Sequence, residues 1–175
     1  MKRIYLLRHA KSSWDDPKLG DFERPLNGRG RKTAPRIGRL LAERGWLPDL
    51  ALCSSAERAR ETWELLAAEL PGAVDCKRMK GLYLAPPSQL LRQIERCPDA
   101  AQAVLLVGHN PGLETLALQL AGPGSDAKAL ARLRAKYPTA ALAVFDLDTA
   151  RWKDIAAARS ELRAFIAPRS LDEES

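Results

Sequence analysis

The chain contains only two histidines, His9 and His109, and each directly follows an apolar run: Ile4-Tyr5-Leu6-Leu7-Arg8-His9 and Val104-Leu105-Leu106-Val107-Gly108-His109. Runs of that length and composition suit strands, and the carboxyl ends of parallel strands form the edge of an open α/β sheet where ligands bind. Both imidazoles are therefore expected on one rim, although 100 positions separate them. Arg8 adds a cation whose fork matches phosphate oxygens. Arg58 lies just past a third strand-like run, Leu50 to Cys53, in the first turn of a helix. The segment Gly108-His109-Asn110-Pro111-Gly112 also opens a helix, whose free N–H groups favour an anion. Two arginines and two histidines converging on one spot are what a phosphoryl dianion demands. The plain alternatives are a histidine that only satisfies a strand end, and an Arg58 that pairs with Glu57 or Glu61. Lys11, Ser12, Asn27 and Asn110 are further candidates for substrate contact, although as loop and cap residues they could instead serve backbone groups. Trp14 fits either a pocket wall or a core plug.

The elements that would position these residues alternate between strand-length apolar bursts and amphipathic stretches, the pattern of an α/β protein with a mainly parallel central sheet flanked by helices. Ile4 to Leu7, Leu50 to Cys53, Val104 to Val107 and Ala141 to Leu147 are the expected strands. Val104 to Val107 has no polar interruption and reads as an interior strand. Helical spacing links Ile37, Leu40 and Leu41, with Gly45 as a stop. A second helix carries Ala59, Thr62, Trp63, Leu66 and Leu70 behind Ser54-Ser55-Ala56-Glu57, which has the form of a capping box. A third runs through Leu90, Leu91 and Ile94 and ends at Pro98. For the fourth, through Leu113, Leu116, Ala117 and Leu120, Asn110 is the expected cap and Pro111 the first position. Arg151 to Ile166 fits a helix or a pair of short closing strands equally well.

Length and composition bound the rest. At 175 residues and 46% hydrophobic content, one domain over residues 1–175 is expected, with 168–175 as a frayed acidic tail. No apolar run approaches the roughly 20 residues of a membrane helix. The cysteines, Cys53, Cys76 and Cys97, are odd in number and widely spaced, so neither a disulfide framework nor a zinc site is indicated, and a cytoplasmic location fits. The net charge of +6 is interleaved with acidic residues along the chain, which favours an anionic substrate over a nucleic-acid or membrane partner. Oligomeric state is not legible.

These residues carry a family resemblance. Arg8-His9-Ala10 resembles the Arg-His-Gly signature of the histidine phosphatase superfamily, Ser54 to Thr62 its second-arginine segment, and Gly108-His109 its second-histidine segment. Arg8-His9-Ala10-Lys11-Ser12-Ser13-Trp14 and Arg24-Pro25-Leu26-Asn27-Gly28-Arg29-Gly30 resemble the SixA-type phosphohistidine phosphatase branch. The resemblance implies a three-layer α/β/α fold like that of phosphoglycerate mutase. It also implies a two-step displacement in which His9 takes the phosphoryl group, with Arg8, Arg58 and His109 around the phosphoryl oxygens, and no metal or other cofactor.

One departure matters. Many relatives carry a glutamate general acid in mid-chain, but Lys80-Gly81-Leu82-Tyr83-Leu84-Ala85-Pro86-Pro87 has no carboxylate. An alkoxide needs a proton to leave, whereas imidazole departs with far less help. The absence favours phosphohistidine on a protein over a small phosphorylated metabolite, unless Asp15, Asp16, Asp21, Glu23 or Glu114 reaches the site. A third possibility is a phosphoprotein-binding module that keeps the pocket without the chemistry.

Overall fold

The apolar run at the N-terminus becomes the middle of β1 (Lys2–Arg8), a central strand of the sheet. This is seen in a computed structural model, which describes residues 1–174. β2 (Leu50–Ser54), β3 (Asp75–Met79), β4 (Ala103–Gly108), β5 (Leu142–Asp148) and β6 (Arg159–Ile166) complete a six-stranded sheet in the order β3-β2-β4-β1-β5-β6. β3, β2, β4 and β1 pair in parallel, whereas β5 and β6 add antiparallel strands at one side. The sheet is thus mixed, with the expected parallel part holding both histidine-bearing strands.

Side-chain alternation splits β1 and β4 between two cores. Ile4, Leu6, Val104 and Leu106 face α3 (Pro87–Glu95), α4 (Gly112–Leu120) and α5 (Ala127–Ala135). Tyr5, Leu7, Leu105 and Val107 face α1 (Gly28–Glu43) and α2 (Glu57–Ala67). Because both faces are covered, the run of apolar residues has no polar member, and each such side chain contributes roughly 1.5–3 kcal/mol of burial. The result is the three-layer α/β/α arrangement.

Helix ends follow local chemistry. Asn27 caps α1 by accepting from the Gly30 N–H at 2.9 Å. Gly45 takes the left-handed conformation (φ 67°) after α1, and the Trp46 N–H bonds back to the Leu41 carbonyl at 2.9 Å, as a glycine stop should. Asp126 caps α5 by accepting from the Ala129 N–H at 2.8 Å.

Several expectations are corrected. Residues 151–166 are neither one helix nor two strands: a 3-10 turn (Trp152–Ala157) leads into β6. The register against β5 shifts between Val144 and Phe145, so Arg163 is bulged out and the buried apolar residues fall at Leu162, Phe165 and Ile166. That spacing of three and then one imitates a helix. The tail is not frayed through residue 174, since α6 (Pro168–Glu174) forms there. Leu171 is buried beside α1, and Asp172 accepts from Arg36 at 2.8 Å. Ser175 lies outside the described residues. Among the described residues no helix is long and apolar enough to cross a membrane.

Candidate functional site

The register of the sheet brings the two histidines together. Arg8 lies opposite Gly108 in the β1/β4 pair, so His9 and His109 leave adjacent strands at the same level, and the His9 N–H bonds to the Gly108 carbonyl at 3.1 Å. Their ring centroids are 5.2 Å apart. β2 flanks β4 on the other side and ends at Ser54, whose hydroxyl lies 2.7 Å from His109 Nε2. The first turn of α2 then places Arg58 against His9, its Nε 3.3 Å from His9 Nε2. Thr62, one turn on, accepts from the Ala10 N–H at 3.0 Å and donates to the Arg58 carbonyl at 2.6 Å, which ties the His9 loop to α2.

These groups line a cavity of about 230 Å³ formed by Arg8, His9, Lys11, Ser12, Trp14, Arg24, Arg58, Leu84, His109, Asn110 and Thr139. Three arginines and a lysine face it, and among the described residues no carboxylate does. His9, Arg58 and His109 are buried, at 5, 3 and 2% exposure, so their dipoles and charges act with little screening by water. The His9 ring is fixed as one tautomer: Nδ1 lies 2.7 Å from the Ala10 carbonyl, which can only accept, so Nδ1 carries the hydrogen and Nε2 keeps its lone pair.

Asp21 secures Arg58 from behind. The guanidinium donates to the Asp21 carbonyl at 2.6 Å and to its Oδ2 at 3.0 Å, while Arg24 pairs with Oδ1 at 3.0 Å. The Tyr83 hydroxyl also donates to the Asp21 carboxylate. That hydrogen bond first, and then Arg24 and Arg58, hold the Asp21 carboxyl at about 2, so it stays ionised at neutral pH. Tyr83 packs edge-on against His109, with centroids 5.4 Å apart.

A model of the histidine phosphatase superfamily (branch 1) matches residues 4–83. An uncharacterised protein of Mycobacterium leprae is 33% identical over 172 residues, covering 93% of this chain and 100% of that protein. Among solved structures, SixA of Agrobacterium tumefaciens, provisionally assigned there as a phosphohistidine phosphatase, is 36% identical. It superposes with a TM-score of 0.80 over 95% of this chain and 98% of its own. The chain belongs to the histidine phosphatase superfamily. A tungstate complex of protein histidine phosphatase SixA, at 19% identity and a TM-score of 0.77, has the same fold.

Within this histidine phosphatase frame, Arg8, His9, Arg58 and His109 meet at one cavity, and Lys11, Ser12 and Asn110 also line it. Ser12 accepts from Arg24 at 2.7 Å, and Asn110 Nδ2 donates to the Tyr137 carbonyl at 2.9 Å. Three local readings are corrected. Asn27 does not line the cavity, and its side-chain oxygen caps α1. Asn110 does not cap α4: it precedes a cis bond to Pro111, the residue from which the helix starts. Ser54 forms no capping box, since α2 begins after Ala56 with no side-chain cap and Ser54 meets His109 instead. Arg58 pairs with Asp21 rather than with Glu57 or Glu61. Trp14 is a wall, 75% exposed, with the Arg24 guanidinium stacked 3.5 Å from its ring centroid. The sequence reading missed Arg24 and Tyr83 as site residues. Arg24 stood inside a quoted motif, and Tyr83 in the segment searched only for a carboxylate.

Burial, followed by the cationic neighbours, pushes His9 and His109 down to about 3, although the hydrogen bond to Ala10 opposes this for His9. Both rings are neutral at neutral pH. An unfolded histidine takes up a proton near pH 6.5, whereas these take one only near 3. In that window the unfolded chain binds more protons, so the stability present above about pH 6.5 is lost as the pH falls. Urea unfolding of the wild type between pH 7 and 4 is expected to lose roughly several kcal/mol through these two groups. The slope for His109→Gln should be shallower by about one proton, and an unchanged slope would show that His109 is not held neutral.

Proposed function

We propose that this chain is a phosphatase in which His9 Nε2 attacks phosphorus and a covalent phosphohistidine is then hydrolysed by water, with phosphohistidine on a protein as its substrate. The observation that carries this reading is the fixed His9 tautomer, whose lone pair opens into a buried pocket of arginines. A neutral imidazole is a competent nucleophile at neutral pH and a good leaving group in the second step. Arg58 donates to that lone pair, but at 3.3 Å the bond is long and readily exchanged for one to a phosphoryl oxygen. Arg8, Arg58 and His109 surround the space in front of His9, so charge developing on the equatorial oxygens is met by donors already in place.

The choice of leaving group rests on proton supply. No carboxylate lines the cavity among the described residues, and Asp21, which pairs with two of the lining arginines, is held ionised by Tyr83, Arg24 and Arg58. A phosphate ester with an alkoxide leaving group would forgo general-acid help worth about 10²–10⁴ in rate, whereas an imidazole leaving group needs little. The provisional assignment of the Agrobacterium relative supports the same substrate class.

The rates should therefore depend steeply on the leaving group. A phosphohistidine peptide and p-nitrophenyl phosphate are expected to turn over at least about 100-fold faster than an alkyl sugar phosphate. Comparable kcat/KM values for the sugar phosphate would reveal a proton donor in the pocket and favour a small phosphorylated metabolite.

A further inference from the structure

A second concavity of about 730 Å³ opens beside the phosphoryl pocket and shares Arg8, Lys11 and Thr139 with it. Its wall brings Arg29 from the first turn of α1, Arg132 and Lys136 from the end of α5, and Arg169 from α6, all of them exposed. Among the described residues, no aspartate or glutamate lines it. Elsewhere on the surface Arg3, Arg31, Arg39, Arg78 and Arg163 each pair with a carboxylate at 2.7–3.2 Å. Among the described residues, none of Lys11, Arg29, Arg132, Lys136 and Arg169 has such a partner. The positive charge that is interleaved with acid along the sequence is thus concentrated in space, at the mouth of the catalytic pocket. Like charges gathered from separate elements repel one another, and an anion laid among them removes that cost.

The shape narrows the occupant. The phosphoryl pocket is small, so the remainder of a substrate must leave through its mouth, where the groove begins. The groove is open rather than enclosed, unlike the cavities that bury most of a small ligand. A single nucleic-acid strand would be expected to stack its bases on exposed aromatic side chains, but Phe165, the one aromatic among the described residues lining the groove, is 3% exposed. Carboxylates spaced along a polypeptide match cations spread over three helices. We propose that this groove is a docking site for an acidic segment of the phosphorylated partner protein, and that it selects substrates by the charge flanking the phosphorylated residue. The assignment deepens the phosphatase reading and rests on it.

The test compares a short phosphohistidine peptide flanked by glutamates with its glutamine-flanked counterpart. Wild-type kcat/KM should favour the acidic peptide by roughly tenfold at low salt, and the preference should shrink as salt screens the charges. In Arg29→Glu/Lys136→Glu the preference should vanish or invert while the rate on the glutamine peptide is retained. Both positions are exposed, and a carboxylate suits the start of α1, so the protein should fold. Arg132→Gln/Arg169→Gln offers a milder second variant with a partial loss. Fluorescence anisotropy of an unphosphorylated glutamate-rich peptide reads the groove without the chemistry: salt-sensitive binding lost in the charge-reversal variant supports docking even if neither phosphopeptide is turned over, an outcome that would count against the phosphatase reading alone. Equal kcat/KM for the two peptides in the wild type would overturn the proposal. So would tighter binding of tripolyphosphate or of an RNA oligonucleotide than of the acidic peptide.

Discussion

His9→Ala is expected to lower kcat/KM by about 10⁴-fold or more and to abolish any covalent phosphoryl label on the protein. The size follows from what is removed. Arg8, Arg58 and His109 would still bind and polarise a phosphoryl group, but no other group in the cavity presents a neutral lone pair in front of it. His109 does not substitute, because its Nε2 is engaged with Ser54 and its Nδ1 is buried without a partner among the described residues. Quenched-flow trapping with a phosphohistidine peptide, followed by mass spectrometry, should place the label on His9 in the wild type alone. The variant should still bind inorganic phosphate or tungstate, which separates a lost nucleophile from a collapsed pocket. Full turnover by His9→Ala would end the covalent mechanism.

Which parts of this arrangement could be read from sequence depends on how local the governing physics is. β1 and β4 were legible because both of their faces are buried, so every residue between Ile4 and Leu7 and between Val104 and Val107 had to be apolar. His9 and His109 inherited that clarity by following them. β3, by contrast, is an edge strand with the sequence Asp-Cys-Lys-Arg-Met, largely exposed, and nothing in its pattern announces a strand. β6 was obscured by its bulge. α5 has strong helix formers and an Asp126 cap that could have been noticed, yet its apolar face is thin, with only Ala129 and Leu133 buried.

The site shows the same division. Arg58 could be assigned to the pocket because a helix start after a strand is a local feature. Its anchor, Asp21, comes from a short 3-10 turn 37 residues earlier, and only the tertiary fold shows that this carboxylate pairs with the arginine. Ser54 and Asn27 present the opposite lesson. Each is a good cap by residue type, but Asn27 is used as one while Ser54 is drawn to His109 by strand geometry. Residue chemistry sets what a side chain can bond; register decides which partner is present.

Arg58→Ala is expected to cost about 10³ in kcat/KM, mostly in kcat, because the donors lost are those aimed at charge that grows on the phosphoryl oxygens as His9 attacks. Arg58→Lys should recover little, to within about tenfold of the alanine variant. An ammonium keeps the charge but not the fork, and here the fork has two separate duties. Nη1 and Nη2 are taken by Asp21 at 2.6 and 3.0 Å, which leaves Nε directed at the space in front of His9. A lysine could satisfy the carboxylate or the phosphoryl group but not both in that geometry. Steady-state kinetics on p-nitrophenyl phosphate, with a urea melt to show that each variant is folded, distinguishes the two accounts: near wild-type kcat in Arg58→Lys would mean that positive charge alone is required and that Asp21 has no positioning role.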